Sequence, residues 1–405
     1  MHIWYMNHYA GSKSFPKEGR SYFLARGLLK AGATCSVIAA SYHHLQKGVH
    51  HEQSLGIEKE NVEGIPFLWL KTPKYVGNGF SRIKNMLAYS YACWKTNFVS
   101  SGFLEKPNVI IVTSVHPFHI FSGYRWAKYF DAKLVFEVRD IWPLSLNLLL
   151  GLKKWHPLYL LLAFMEKFGY RNADLVVSVL PNALKHMEPK GVEPERFLYL
   201  PNGFISDFPW KKTNKYKKEL AVIRSKYSRV IMHTGSMGKP NGLEMLIDAA
   251  NELAERKDIA FVFIGSGSLK DELVLKSKSP NIFHFDPIDK DEVMSALSYS
   301  DICYCGSQDL SELYKFGISP NKVFDYMFAK KMILLGIDSP NNPVEVANAG
   351  YCFSPSQHQQ LHHIISDIAD EAEPVLRSKG LSGYDYLINN HDFDVLAQKL
   401  LTRLS

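Results

Sequence analysis

Ser319-Pro320-Asn321-Lys322-Val323-Phe324-Asp325-Tyr326-Met327 is followed at once by the apolar run Met332 to Ile337, so a short helix leads into a buried strand. Serine is a good N-cap and proline suits the first helical position, so Ser319 and Pro320 are expected to open that helix with its free amides aimed outward. Those amides, the positive end of the helix dipole and Lys322 favour a bound diphosphate. Asp325 lies one turn after Lys322 on the same face, where a carboxylate accepts hydrogen bonds from a ribose diol. A plain capped helix that packs Val323, Phe324 and Met327 into a core is the alternative.

Outward from this helix, short β-rich runs alternate with helical stretches, the pattern of parallel sheets with crossover helices and hence of the α/β class. The first half offers His2 to Met6, Thr34 to Ala39, Val109 to Thr113, Leu134 to Val138, Leu175 to Val179 and Phe197 to Leu200. After Pro201-Asn202-Gly203 and a Lys-rich passage a second series begins: Val230 to Thr234, Ala260 to Ile264, Ile282 to Phe285, Ile302 to Tyr304 and Met332 to Gly336. Two doubly wound halves are therefore expected, with an interdomain linker near residues 202 to 212 and ligands beyond the carboxyl ends of the strands. A chain of 405 residues also exceeds one typical core and suits two domains.

Loops at those strand ends carry anion chemistry. The first has Gly11, Ser12 and Lys13, then Glu18-Gly19-Arg20-Ser21 leading into a helix; a surface turn is its alternative. Gly235-Ser236-Met237-Gly238-Lys239-Pro240-Asn241-Gly242 offers a second cradle of amides and lysine, and Gly265-Ser266-Gly267 would let a ligand approach the backbone. Neither glycine loop has the spacing of a dinucleotide site or a P-loop.

Lys and Arg total 47 against 40 Asp and Glu, giving +7 and a pI near 8.9. That mild excess suits anionic ligands or a membrane surface and lacks the dense basic stripe of a nucleic-acid binder. Cys35, Cys93, Cys303, Cys305 and Cys352 are too scattered for a disulfide framework or a metal set, which suggests a reducing cytoplasm. The N-terminus opens as a strand, so no signal peptide is expected. Leu144 to Met165 is the most apolar stretch, broken by Gly151, Lys153-Lys154 and His156-Pro157. It is too interrupted for a spanning helix, and two readings stay open: a pair of core helices, or a surface segment dipping into the bilayer interface.

Phe136-Glu137-Val138-Arg139-Asp140-Ile141-Trp142-Pro143, Arg171-Asn172-Ala173-Asp174, Pro201-Asn202-Gly203 and the Ser319 to Met327 helix are similar to those of the retaining glycosyltransferases of the GT-B fold, family 4. The resemblance spans nearly the whole chain and leans toward bacterial O-antigen and capsule enzymes resembling N-acetyl-L-fucosamine transferases. It implies two Rossmann-like doubly wound domains facing across a cleft. Residues 1–204 would bind the acceptor, 205–383 the nucleotide sugar, and a terminal segment 384–405 would cross back to the first domain. Where the wider family pairs two acids eight positions apart, this chain has Gly317 and Asp325. The family's Arg and Lys on the first loop of the second domain fall at Ser236 and Asn241, with Lys239 nearby and Lys322 placed to take over charge neutralisation.

The chemistry so implied is displacement of a nucleotide diphosphate from an anomeric carbon with retained configuration, helped by groups that stabilise the departing charge. Lys322 and Lys239 would do so without metal or cofactor, with Asp140 orienting acceptor or sugar. Donor contacts are expected at Gly19, Arg20, Gly235, Ser236, Gly238, Gly265, Ser319, Pro320, Asn321 and Asp325. A uracil edge is expected at Pro287 and Ile288, which makes a UDP-sugar the favoured donor. Glu137, Arg139, His116 and His119 are candidates for acceptor or sugar contact. Arg139 with Asp140 as a structural ion pair is the alternative. The expected acceptor is a polyprenyl-diphosphate-linked saccharide at the cytoplasmic face of the inner membrane, touched peripherally, with no nucleic-acid partner. A GT-B-like epimerase of UDP-amino sugars and a noncatalytic membrane-associated scaffold are the competing classes.

Overall fold

The computed structural model describes residues 1–11, 19–43, 56–77, 79–114 and 116–405. It divides into two compact units, Met1–Asn202 joined by Phe393–Ser405, and Gly203–Asp392. The first begins β1 (His2–Met6), α1 (Arg20–Lys30), β2 (Thr34–Ala40), β3 (Ile57–Val62), β4 (Ile65–Leu70) and α2 (Phe80–Lys95). It continues β5 (Val109–Thr113), α3 (Ile120–Phe130), β6 (Lys133–Val138), α4 (Leu144–Leu150), α5 (Pro157–Asn172), β7 (Leu175–Ser178), α6 (Leu184–Met187) and β8 (Phe197–Tyr199).

These strands form one sheet in the order β3-β4-β2-β1-β5-β6-β7-β8. All neighbours are parallel except the β3–β4 pair. That hairpin was not expected from sequence. β3 reads Ile-Glu-Lys-Glu-Asn-Val, too polar to register as a strand, and its two-residue turn uses Glu63 and Gly64 at positive φ. On one face, Trp4, Met6, Ile110, Val112 and Phe136 pack under α2, α3 and α5. Between α4 and α5, Gly151 takes a left-handed conformation that turns the chain. Leu162 and Met165 point into the core while Leu150, Leu160 and Phe164 stay exposed. The Leu144 to Met165 stretch is thus half core and half surface. Among the described residues no helix is long and apolar enough to cross a membrane.

The second domain opens α7 (Lys217–Lys226), β9 (Arg229–Ser236), α8 (Leu243–Glu252), β10 (Ile259–Ser266), α9 (Lys270–Lys276) and β11 (Ile282–Phe285). Then come α10 (Val293–Leu297), β12 (Ile302–Gly306), α11 (Ser311–Tyr314), α12 (Asn321–Phe328), β13 (Met332–Gly336), α13 (Pro343–Val346) and β14 (Gly350–Phe353). α14 (Leu361–Ala369) and α15 (Glu373–His391) complete it, and α16 (Phe393–Leu404) ends the chain. The sheet order is β11-β10-β9-β12-β13-β14, parallel throughout. One face carries the core of α12 and α15, with Val323, Phe324, Met327 and Leu387. The opposite face carries that of α8 and α14, with Leu246, Ile247 and Ile365.

Two expected boundaries move. The first domain closes at Asn202 rather than 204. The terminal segment expected from residue 384 starts inside α15, which stays in the second domain because Leu387 belongs to that core. Only α16 returns to the first domain, where it lies along α1. The approach is close at Gly27, where a Cβ would stand 2.7 Å from the Phe393 carbonyl oxygen and 2.8 Å from the Ala397 Cβ. Gly27→Val is expected to push the helices apart and lower stability by about 1–3 kcal/mol, the usual penalty of overpacking. Urea unfolding checks this, and an unchanged midpoint would contradict the packing described.

Candidate functional site

α12 starts one residue later than expected. Pro320, not Ser319, occupies the cap position, with extended backbone and no side-chain cap. The first-turn amides are still left without a capping side chain, as an anion site requires. Val323, Phe324, Tyr326 and Met327 anchor the helix in the core. Tyr326 fixes it to the end of β9, its hydroxyl oxygen accepting the Thr234 amide at 3.1 Å. Lys322, on the first turn, donates from Nζ to Asn241 Oδ1 at 2.6 Å. Burial pulls the Lys322 pKa below its ordinary value, and no described carboxylate pairs with the ammonium.

Around Lys322 the backbone is shaped by close contacts. Gly235 sits at φ +117° and Gly242 at +53°, conformations that side chains rarely adopt. A Cβ on Gly265 would come within 1.8 Å of the Gly235 carbonyl oxygen, so the tips of β9 and β10 lie against each other as bare backbone. Ser236 and Lys239 are exposed on this loop, and Gly238 is half-buried with no crowding at its Cα. His233, buried beneath, binds the Tyr304 carbonyl through Nδ1 at 3.2 Å. Its pKa falls to about 3, chiefly by burial and then by the charge of Lys322. Lys322 is thus set among neutral groups, Asn241 and an uncharged imidazole.

Asp325 is buried and bound through Oδ1 to Lys290 Nζ. Burial raises its pKa and Lys290 counters the rise. Its other oxygen has no partner among the described residues. Lys322 and Asp325 therefore leave α12 toward different partners. Lys290 follows β11, just after exposed Pro287 and half-buried Ile288. Nothing in the local sequence singled out Lys290, His233 or the Lys322–Asn241 contact, because each pairing spans 35 positions or more or depends on burial.

In the first domain several expected ligands turn inward. Glu137 is buried, accepts from Tyr5 Oη at 2.7 Å and pairs with Arg20 Nε at 3.0 Å. Arg20 spends its remaining donors on the carbonyls of Leu200 and Pro201, at 2.9 and 2.5 Å. This pair ties α1, β6 and the exit of β8 together, with both side chains turned inward and their polar atoms engaged within the domain. Burial, and then Glu137, raises the Tyr5 pKa. Gly19 lies against the Phe23 ring, where a Cβ would come within 2.3 Å of a ring carbon. Ser12, Lys13 and Glu18 of that loop lie outside the described residues.

His116 and His119 were expected to face a ligand cleft, yet both are fully buried. They pack with His8, the ring centroids of His8 and His116 lying 4.7 Å apart and those of His116 and His119 4.9 Å apart. Burial lowers the pKa of all three, that of His119 to about 4. Arg139 is half-buried and Asp140 exposed beyond β6. Ser114 Oγ holds that turn, accepting the Arg139 amide at 3.0 Å and donating to the Asp140 carbonyl at 3.3 Å. Among the described residues no group of three His, Cys, Asp or Glu is arranged to hold a metal ion.

Both doubly wound parallel domains, with basic and amide groups at the strand ends of the second, define a GT-B type of protein. Residues 20–203 match the model of a glycosyl transferase 4-like domain. The match lies almost wholly within the first domain. It is 22% identical over 268 residues to a protein of Pseudomonas aeruginosa named as glycosyltransferase WbjE, the match covering 64% of this chain and 66% of that one. It is 24% identical over 298 residues to an Escherichia coli protein named as colanic acid biosynthesis glycosyl transferase WcaI, covering 68% and 69%. The chain thus aligns with about two thirds of the length of these relatives. In fold it is similar to Anabaena HepE, solved in complex with UDP-glucose, at a TM-score of 0.65 and 13% identity over 100% of this chain and 99% of that one.

The histidine cluster sets a pH dependence. Lowered pKa values mean that protons are taken up more readily by the unfolded chain, so this contribution is complete above the unfolded value near 6.5 and is lost as pH falls toward 4. Each such group adds a slope of about 1.4 kcal/mol per pH unit in that window. Urea unfolding between pH 7 and 4.5 is expected to show the decline, with a shallower slope for His116→Phe. Equal slopes in both proteins would refute a buried, neutral His116.

Proposed function

We propose that the protein transfers a sugar from a UDP-sugar to a saccharide carried on a membrane-anchored polyprenyl diphosphate, in building a surface polysaccharide. The observation that carries the donor half is the half-buried Lys322 ammonium at the end of the second sheet, held by an amide and matched by no carboxylate among the described residues. An unneutralised cation beside open helix amides favours a diphosphate. Its bond to Asn241 brings the charge to the loop position where the wider family carries its lysine. The UDP-glucose seen in HepE supports the choice of nucleotide, and the name of WcaI supports polysaccharide synthesis.

In the proposed reaction the bond from the anomeric carbon to the diphosphate oxygen breaks, and the acceptor oxygen bonds to the same face, retaining configuration. The acceptor proton passes to the departing phosphate. Lys322 and the amides of α12 stabilise the charge gathered there, with Lys239 as a second, exposed cation. Asp325 receives the ribose through its unpartnered oxygen, and Asp140 orients the acceptor. No metal is assigned a role.

UDP is expected to raise the melting temperature of the protein by mass action. Lys322→Ala should weaken UDP binding by about tenfold to a hundredfold, as loss of a charge-assisted contact does, while the ligand-free melting temperature holds. Transfer from UDP-sugars to membrane extract should persist in EDTA. No stabilisation by millimolar UDP would remove the donor assignment, and activity abolished by chelator would remove the metal-free mechanism.

A further inference from the structure

α2, α3 and α5 lie side by side over one face of the first sheet, α2 against α3 and α3 against α5. Their inner sides form the core, and their outer sides are unusual in two independent respects. The first is apolar exposure. On α2, Phe80, Leu87, Tyr91 and Trp94 recur at helical spacing and are all exposed. On α5, Leu160, Leu161 and Phe164 are exposed, and Leu150 and Trp155 stand out from the turn before it at 76% and 70%. Phe164 meets Phe121 of α3 at 6.2 Å between centroids, which links the α5 patch to α3.

The second respect is charge. α2, α3 and residues 144–172 together hold nine Lys or Arg and one acid, Glu166, against 47 and 40 in the whole chain. Glu166 does not reach the surface, being buried with Tyr170, His186 and Lys190 as partners. The outward charge of this layer is therefore wholly positive. Several of the cations lie over aromatic rings, Arg125 above Trp94 at 4.7 Å and Lys153 above Trp155 at 5.5 Å. Exposed tryptophan and tyrosine interleaved with lysine and arginine is the composition of a surface that lies in a bilayer headgroup region. Absence of acid selects an anionic one. A water-facing helical layer would carry both signs of charge, and an acid-free apolar face would repel a second copy of itself.

We propose that the outer side of α2, α3 and α5, with the turn at residues 151–156, is the surface by which this protein lies on anionic lipid. The apolar side chains enter the interface and the lysines meet lipid phosphates. The inference rests on the membrane-anchored acceptor of the preceding reading for its purpose, but its test is separate from that reading.

Full-length protein is mixed with vesicles of neutral phosphatidylcholine or of phosphatidylcholine with phosphatidylglycerol, and the bound fraction is measured by flotation at low and high salt. Binding to the anionic vesicles is expected, weakened by salt. Lys153→Glu with Lys154→Glu should lower it at least about tenfold, and Leu87→Ser with Tyr91→Ser on α2 should also lower it. All these side chains are exposed, so UDP stabilisation should match that of the parent protein. Failure of the parent to bind anionic vesicles, or undiminished binding by both variants, overturns the proposal. So does a dimer in solution that the same substitutions disperse while vesicles are ignored. If vesicle binding behaves as expected but UDP does not stabilise the protein, the donor reading fails and the lipid surface stands.

Discussion

Lys322 donates to the Asn241 amide oxygen from a position largely shielded from water. A half-buried ammonium beside a carboxylate would be matched by an opposite charge; beside an amide it is hydrogen-bonded without a counter-charge. Several features of the second domain serve that arrangement. Tyr326 pins α12 to the tip of β9, the β9 and β10 tips meet as bare glycine backbone, and His233 stays uncharged beneath.

The first domain solves the opposite problem. Arg20 and Glu137 look like ligand groups because each stands at a strand or helix end in a plausible loop, yet they neutralise each other inside the domain. The remaining guanidinium donors satisfy the carbonyls of Leu200 and Pro201, where β8 leaves the sheet. A charged pair so fully bonded is a brace for three segments. His116 and His119 share this fate for a different reason. The layer of α2 and α3 is aromatic and closes over them, leaving neutral imidazoles packed on Tyr89 and one another.

That same aromatic layer has an outer side, and the exposed residues there are not a by-product of the core. Leu162 and Met165 of α5 are buried in the core, whereas Leu160, Leu161 and Phe164 are exposed. The Leu144 to Met165 stretch thus has core residues on one side and exposed apolar residues on the other. α2 carries a matching exposed stripe of Phe80, Leu87, Tyr91 and Trp94.

The alternation of apolar runs and helical spacing was enough to read two doubly wound domains, because parallel strands buried on both faces must be continuously apolar. Lys322, Lys239 and the glycine loops drew notice in the sequence because their residue types bear directly on phosphate chemistry. β3 escaped because an edge strand needs few apolar residues, and α15 and α16 were merged because both are apolar at helical spacing and differ only in the core they join. Which cation stays open and which is cancelled could not be read along the chain. Arg20 meets Glu137 across 117 positions and Lys322 meets Asn241 across 81, and the partner that decides whether a charge binds a ligand or braces the fold is brought to it only by folding.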